Sequence, residues 1–227
     1  MGRARMRARK VLGGLLVAAG LGLCAAAALH YWRGAVAQRE GLAELEQARL
    51  RPIATATPLE ETPTPVENPS VVESAVPTPT PEPAYPYGLA LARLRIPSAQ
   101  IDVVVFGGAD QAILEKGPGH VPGTALPGAE GPPNNCVITG HRDSHFRHLG
   151  WLKPGHKIDL ETPETETTYR IVRREIVKPD AVSVLAPTEK PQLTLITCYP
   201  FNYIGPAPDR LVLIAEPISP ARARHSS

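Results

Sequence analysis

Hydrophobic and polar positions divide the chain into three regimes. From 11 to 29 no residue is charged, and most are Ala, Leu, Gly or Val. That length is just sufficient for a transmembrane helix, which needs about 20 apolar residues. Residues 1–10 carry Arg3, Arg5, Arg7, Arg9 and Lys10 with no acid, and Tyr31 and Trp32 follow the apolar run. Basic residues stay on the cytoplasmic side and aromatic residues settle at the interface. The pattern therefore predicts a single-pass anchor over 11–32 at the cell membrane, with 1–10 cytoplasmic and everything later outside. A cleaved signal peptide is the rival reading, since Ala26 and Ala28 form an A-x-A pattern. The apolar run exceeds the usual h-region of about 7–15 residues, which favours the anchor. Lipid attachment at Cys24 is disfavoured by the bulky Leu23 before it.

The second regime is polar and has no apolar period. Residues 33–51 are mixed in charge, and Ala43, Leu45, Ala48 and Leu50 form no strong stripe, so the segment reads as a juxtamembrane extension of the helix. Residues 52–87 hold ten prolines with many Thr, Glu and Val. Such a segment cannot bury enough apolar surface to fold. Its PTPTPEP stretch favours extended polyproline II at about 3.1 Å per residue. It reads as a disordered linker able to carry a domain up to ~100 Å from the membrane.

The third regime, 88–217, is a folded domain of ordinary size. Short strand candidates recur between turn signals, at 90–96, 101–106, 136–139, 157–161, 168–177, 193–197 and 211–215. One helix is expected at 109–115 and a helical turn at 145–152. Many spaced strands with little helix predict a mostly β domain, a barrel or a sandwich. Residues 218–227 read as a frayed tail.

Composition narrows the chemistry. A net charge of +2 over 227 residues indicates no nucleic-acid partner. Of the three cysteines, Cys24 falls in the apolar run, leaving Cys136 and Cys198. An exported pair can form a bridge, but no Cys/His zinc spacing is present. No metal and no cofactor is expected. The turn HRDSHFRH (141–148) holds several potential ligands, but it matches no metalloprotease helix and reads as a solvated turn.

The buried strand candidate 193–197 ends at Cys198, and Arg210 opens the next, with a Pro/Gly/Asn loop between them. If the two pair antiparallel, thiol and guanidinium face each other. A cation lowers a thiol pKa and can hold an oxyanion. The bland alternative is an inert core thiol. A third strand candidate delivers His141 at its tip, in VITGHR (137–142). An imidazolium can protonate a leaving amine. Three reactive residue types at three strand ends favour a site over chance.

The segments ITGHR (138–142) and LTLITC (193–198), followed by Arg210 in APDRLVLIAE, resemble the sortases, cysteine transpeptidases of bacterial cell surfaces. LRIP (94–97) and the segment 117–128 extend the likeness over nearly all of 90–216. The run TCYPFNYIGPAPDR is most similar to class D sortases. The resemblance implies a closed eight-stranded β-barrel with one or two short helices. It implies Cys198 as nucleophile, His141 as general acid/base and Arg210 as the substrate-positioning, oxyanion-stabilising cation. It further implies cleavage of an LPxT-type sorting signal after Thr, through a thioacyl enzyme resolved by an amine acceptor such as a cell-wall precursor or a pilin lysine. His120 and Thr197 are expected to contact the substrate, a structural turn role for His120 remaining open. The loop 179–191 would cover the signal and set its preference. Cys136 is expected to be a buried strand residue and Trp151 to pack. Another exported cysteine peptidase, or a silent β-barrel binding module on a stalk, are the competing readings.

Overall fold

Alternation along the strand candidates becomes the wall of a barrel. In β1 (Ala90–Ile96), Ala92, Leu94 and Ile96 are fully buried, while Arg93 and Arg95 point outward into ion pairs with Asp102 and Glu161. The computed structural model describes residues 2–50, 85–129, 131–218 and 222–223. After β1 come β2 (Ile101–Gly107), β3 (Gly119–His120), β4 (Asn135–Gly140), β5 (Lys157–Glu161) and β6 (Thr165–Val177). The last strands are β7 (Gln192–Tyr199), β8 (Asp209–Pro217) and β9 (Arg222–Ala223). They pair in the order β5-β1-β2-β3-β4-β7-β8-β6-β9, and a further β5–β6 pairing closes eight of them into the expected barrel. β9 hangs outside on Thr165 and Glu166, within the stretch expected to be a frayed tail.

Most pairs are antiparallel. β2–β3 and β4–β7 are parallel. The inward side chains of all the long strands meet in one core, which Phe146, Leu149 and Leu152 plug from the connection after β4. Two expectations shift. The sequence shows no sign of β3, because two residues inside GPGHVPG carry no periodicity. The folded domain also begins before 88. Tyr85 donates to the His120 carbonyl (2.9 Å) and accepts from the Gly108 N–H (2.8 Å), so the last residues of the expected linker are already fixed to the barrel. The rest of that linker lies outside the described residues.

The expected helix at 109–115 is one turn, α2 (Gln111–Leu114), capped by the Asp110 carboxylate on the N–H groups of Ala112 and Ile113. A 3₁₀ turn at Leu149–Trp151 stands where a helical turn was expected.

Ahead of the barrel runs α1 (Gly2–Leu50), one unbroken helix. It is rich in Ala and Leu, both good helix formers, and meets no proline before Pro52. Among the described residues it is the one helix long and apolar enough to cross a membrane. Leu16, Leu21 and Leu23 remain 66%, 66% and 76% exposed, an apolar surface that the barrel leaves uncovered.

The C-terminal part of α1 lies on the barrel wall. Leu45, 1% exposed, packs with Val104, Phe106 and Ile113. Gly41 allows the close approach, since a Cβ there would meet the Phe106 ring at 2.9 Å. The Gln38 amide donates to the Val104 carbonyl (3.1 Å) and accepts from the Val104 N–H (2.6 Å), completing β2 as a neighbouring strand would. Arg49 reaches buried Glu161 at 3.2 Å, opposite Arg95. The contact face is therefore 38, 41, 45 and 49, spaced by three and four as helical geometry requires. It escaped the apolar-stripe reading because half of it is polar.

Candidate active site

Strand register assembles the site. β4 and β7 run parallel with Gly140 opposite Thr197. One step further along both strands stand His141 and Cys198, side by side at an interstrand spacing of about 4.8 Å. On the other side of β7, Cys198 pairs with Arg210 of β8. Three residues from distant parts of the chain thus occupy one row across three adjacent strands. Leu193, Leu195 and Thr197 turn inward, so alternation sends Cys198 to the outer face. Cys198, His141 and Arg210 are all half-buried, open to a substrate yet held by the sheet.

Each is steadied by neighbours. Thr197, 1% exposed, donates its hydroxyl to the Gly140 carbonyl at 2.7 Å, pinning the strand tip that carries His141. Gly140 has no room for a side chain, because a Cβ would meet the Phe146 ring at 2.8 Å. Arg210 donates to the carbonyls of Ala207 (3.2 Å) and Asp209 (2.9 Å). Asp209 is in turn bound by Lys178 at 2.8 Å. We expect Thr197→Val to lower stability by about 1–3 kcal/mol, since it strands a buried carbonyl, and to slow turnover with it. Thr197→Ser should restore both, as thermal melts and peptide cleavage would show.

The other cysteine differs in every respect. Cys136 is buried, and burial pushes its thiol up to about 12. It pairs with Leu193, five residues along β7 from Cys198. At ~3.3 Å per residue that is roughly 17 Å, far beyond disulfide reach. Both thiols are free.

His120 and Thr197 turn their polar atoms to the protein. His120 is fully buried, with Nδ1 at 2.9 Å from the Tyr85 hydroxyl and Nε2 at 2.8 Å from the Ala125 carbonyl. Burial holds its pKa below the ordinary histidine value, partly opposed by the Ala125 carbonyl. Its place in the fold is that of a latch between β3 and Tyr85. Thr197 acts on the position of its neighbours, as described. Trp151 stacks on His148 with ring centres 4.0 Å apart, yet stays 56% exposed.

A family model described as sortase domain matches residues 94–218, more than half of the chain. The chain belongs to the sortase family. Sortase D of Bacillus subtilis (strain 168) is 37% identical over 133 residues, covering 58% of this chain and 66% of that protein. The chain thus spans slightly less than two thirds of this relative's length. Among solved structures, a Clostridium perfringens sortase D5 transpeptidase is 27% identical with a TM-score of 0.53, covering 59% of this chain and 81% of the other. A Clostridium perfringens sortase C, solved with its C-terminal cell wall sorting motif, is 28% identical with a TM-score of 0.55 over 60% and 74% of the two chains.

The sortase barrel also uses residues that pattern reasoning passed over. Arg142 donates to the carbonyls of Tyr203 (2.7 Å) and Gly205 (3.0 Å), tying the residue after His141 to the loop after Cys198. Buried Asn135 donates to the carbonyls of Val184 and Ala186 and accepts from Thr194, fixing the loop 179–191 to β4. Arg142 closes ITGHR itself, and its place in that segment was the available signal. For Asn135 there was none, since an Asn at a strand start reads as a turn residue. His145 lies partly buried beside His141. Burial and the neighbouring imidazole both lower its pKa, which favours the neutral ring.

Proposed function

We propose that the chain is a membrane-anchored cysteine transpeptidase that cleaves an LPxT-type sorting signal after Thr and passes the acyl group to an amine. The observation that carries this reading is the row His141–Cys198–Arg210, built by one parallel and one antiparallel register. Family membership and the likeness to a sortase C solved with the C-terminal cell wall sorting motif support the substrate class. The apolar, exposed face of α1 supports the anchor, and the basic residues of 1–10 support a cytoplasmic N-terminus.

The chemistry follows from the row. Cys198 Sγ attacks the carbonyl carbon of the signal's Thr, and its proton passes to His141. Arg210 holds the developing oxyanion with its planar, delocalised guanidinium. As the tetrahedral species collapses, the C–N bond breaks and His141 returns the proton to the departing amine. A thioester remains on Cys198. The acceptor amine gives a proton to His141, attacks the thioester and releases the thiol. Water in place of the amine gives hydrolysis. Thr197 and Gly140 act by holding His141 in place, and the loop 179–191, anchored by Asn135, is the element suited to set signal preference.

The test is mass spectrometry of the full chain in detergent with LPxTG and LPxTA peptides, with and without a small amine. We expect cleavage after Thr and an amide adduct only when the amine is present. Cleavage elsewhere, or acid product alone at every amine concentration, would point to an ordinary cysteine peptidase. A folded chain that turns over neither peptide would favour the binding-module reading.

A further inference from the structure

We propose that the docked helix sets the catalytic end of the barrel against the outer headgroup layer of the membrane that α1 spans, so that the surface around His141 has the phospholipid surface as its partner. This rests on the anchor reading and adds to it a height and an orientation.

α1 is unbroken from Gly2 to Leu50, so its apolar part and its docked part form one continuous rod. The apolar run ends at 29. From there outward, the rod meets the barrel in a fixed order. Tyr31, Gly34 and Ala35 face His141 and Arg147 across one cavity. Gln38 then binds Val104, Leu45 packs on Phe106, and Arg49 reaches Glu161. The catalytic turn is therefore the first part of the barrel that the helix meets, and the end of β5 is the last.

Heights follow from helix geometry. At about 1.5 Å per residue, Tyr31 stands about 3 Å and Ala35 about 9 Å beyond the apolar run. The headgroup layer on each side of a bilayer is about 5–8 Å thick. The turn that carries His141 thus stands at the outer margin of that layer. A helix tilt of about 20° lowers these heights only slightly. Trp32, next to Tyr31 and 63% exposed, has the amphipathic ring that settles at such an interface.

The docked barrel turns a surface of mixed charge to the lipid. Lys116 and Arg147 are exposed cations, and Glu115 and Asp143 are exposed carboxylates. All four flank the first turns of α1 beyond the apolar run. Charges in balance match a zwitterionic headgroup, which carries a phosphate and an ammonium, and call for no anionic lipid. The helix, rather than charge attraction, sets the height.

Both ends of the segment 51–84 are tied to one barrel, through Arg49 on Glu161 and through Tyr85 on His120. While α1 stays docked, that length adds no reach. The row then works on chains presented at the bilayer surface, not ~100 Å above it.

The test measures the height of Cys198 in the full chain. Cys24→Ala leaves Cys198 as the accessible thiol, since Cys136 is buried. A fluorophore attached there by iodoacetamide chemistry reports energy transfer to a headgroup-labelled lipid in phosphatidylcholine vesicles. We expect it within about 20 Å of the headgroups, and unmoved by salt at about 0.5 M, which screens charge attraction. Seven helix-forming residues inserted between Trp32 and Arg33 add about two turns and should raise it by about 10 Å. Gly41→Leu combined with Leu45→Glu breaks the docked face. The barrel should then move outward by about 20 Å or more, since a free chain of about 34 residues spans ~30 Å. Glu44→Gln, on the exposed side of α1, should leave the height unchanged. A fluorophore already far from the lipid without these changes, or one that ignores the insertion, would overturn the proposal. So would a height that grows with salt, the mark of a loose barrel held down by charge. A chain that floats with vesicles and cleaves the signal peptide, yet fails these measurements, keeps the transpeptidase and anchor readings and loses only the docked height. A chain that does not float with vesicles sinks the anchor reading and this one together.

Discussion

Replacing Cys198 by alanine is expected to lower cleavage of a sorting-signal peptide by about 10⁴-fold or more, the scale seen when a covalent nucleophile is lost. The register makes the prediction specific. Cys198 lies on the outer face beside His141 and opposite Arg210, whereas Cys136 is buried with its thiol pushed up to about 12. Cys136→Ala should therefore leave turnover within about threefold of wild type, and peptide mapping after iodoacetamide should find label on Cys198 and none on Cys136. Turnover that persists in Cys198→Ala, or that disappears in a folded Cys136→Ala, would remove the row from the mechanism. His141→Ala should slow alkylation of Cys198. A thiol that reacts at the same rate with and without that imidazole is not activated by it.

Arg210→Ala is expected to cost about 10²–10³-fold in kcat, the usual result of deleting a donor that faces an oxyanion. Arg210→Lys should recover little of this. The guanidinium is planar and its Nη1 is held by the carbonyls of Ala207 and Asp209, so the remaining N–H groups have fixed directions. A lysine ammonium would bring the charge without the fork. The decisive comparison is between chemistry and thiol reactivity. If Arg210 stabilises the oxyanion, its loss should depress kcat while iodoacetamide labelling of Cys198 proceeds almost unchanged. A parallel fall in both would make Arg210 a thiol-activating cation instead.

The two buried strands and their terminal residues were legible because their chemistry is local. LTLITC and RLVLIAE are apolar runs that end in a thiol and begin with a cation, and VITG is a β-branched run that delivers His141 at its tip; the antiparallel pairing enters the sequence reading only as a condition, which the register meets. The expected limits of β1 match the observed ones, since ALARLRI is apolar at its start and alternates strictly from Ala92 to Ile96. β3 was invisible because its two residues gain their partners from β2 and β4, not from their own pattern. The docking of α1 was missed for a related reason. Its face is Gln38, Gly41, Leu45 and Arg49, and a side-chain amide that satisfies a strand's backbone leaves no hydrophobic period. His120 in GPGHVPG could be read either as a ligand-facing residue or as a structural one. Only the tertiary fold shows both its ring nitrogens occupied by Tyr85 and Ala125.

The contact between Gln38 and β2 also bears on where this chain can be cut. Without α1, Val104 would offer a bare N–H and carbonyl on an open strand, next to Phe106 and Ile113, which are now 4% and 1% exposed. An uncovered strand edge beside an apolar patch invites another strand to add to it. A barrel released at residue 85 would therefore carry a self-adhesive seam, and two released barrels have a route to pair through it. In the whole chain the helix occupies that seam, so cutting away the segment suited to fasten the enzyme to the membrane would also open the route by which copies pair.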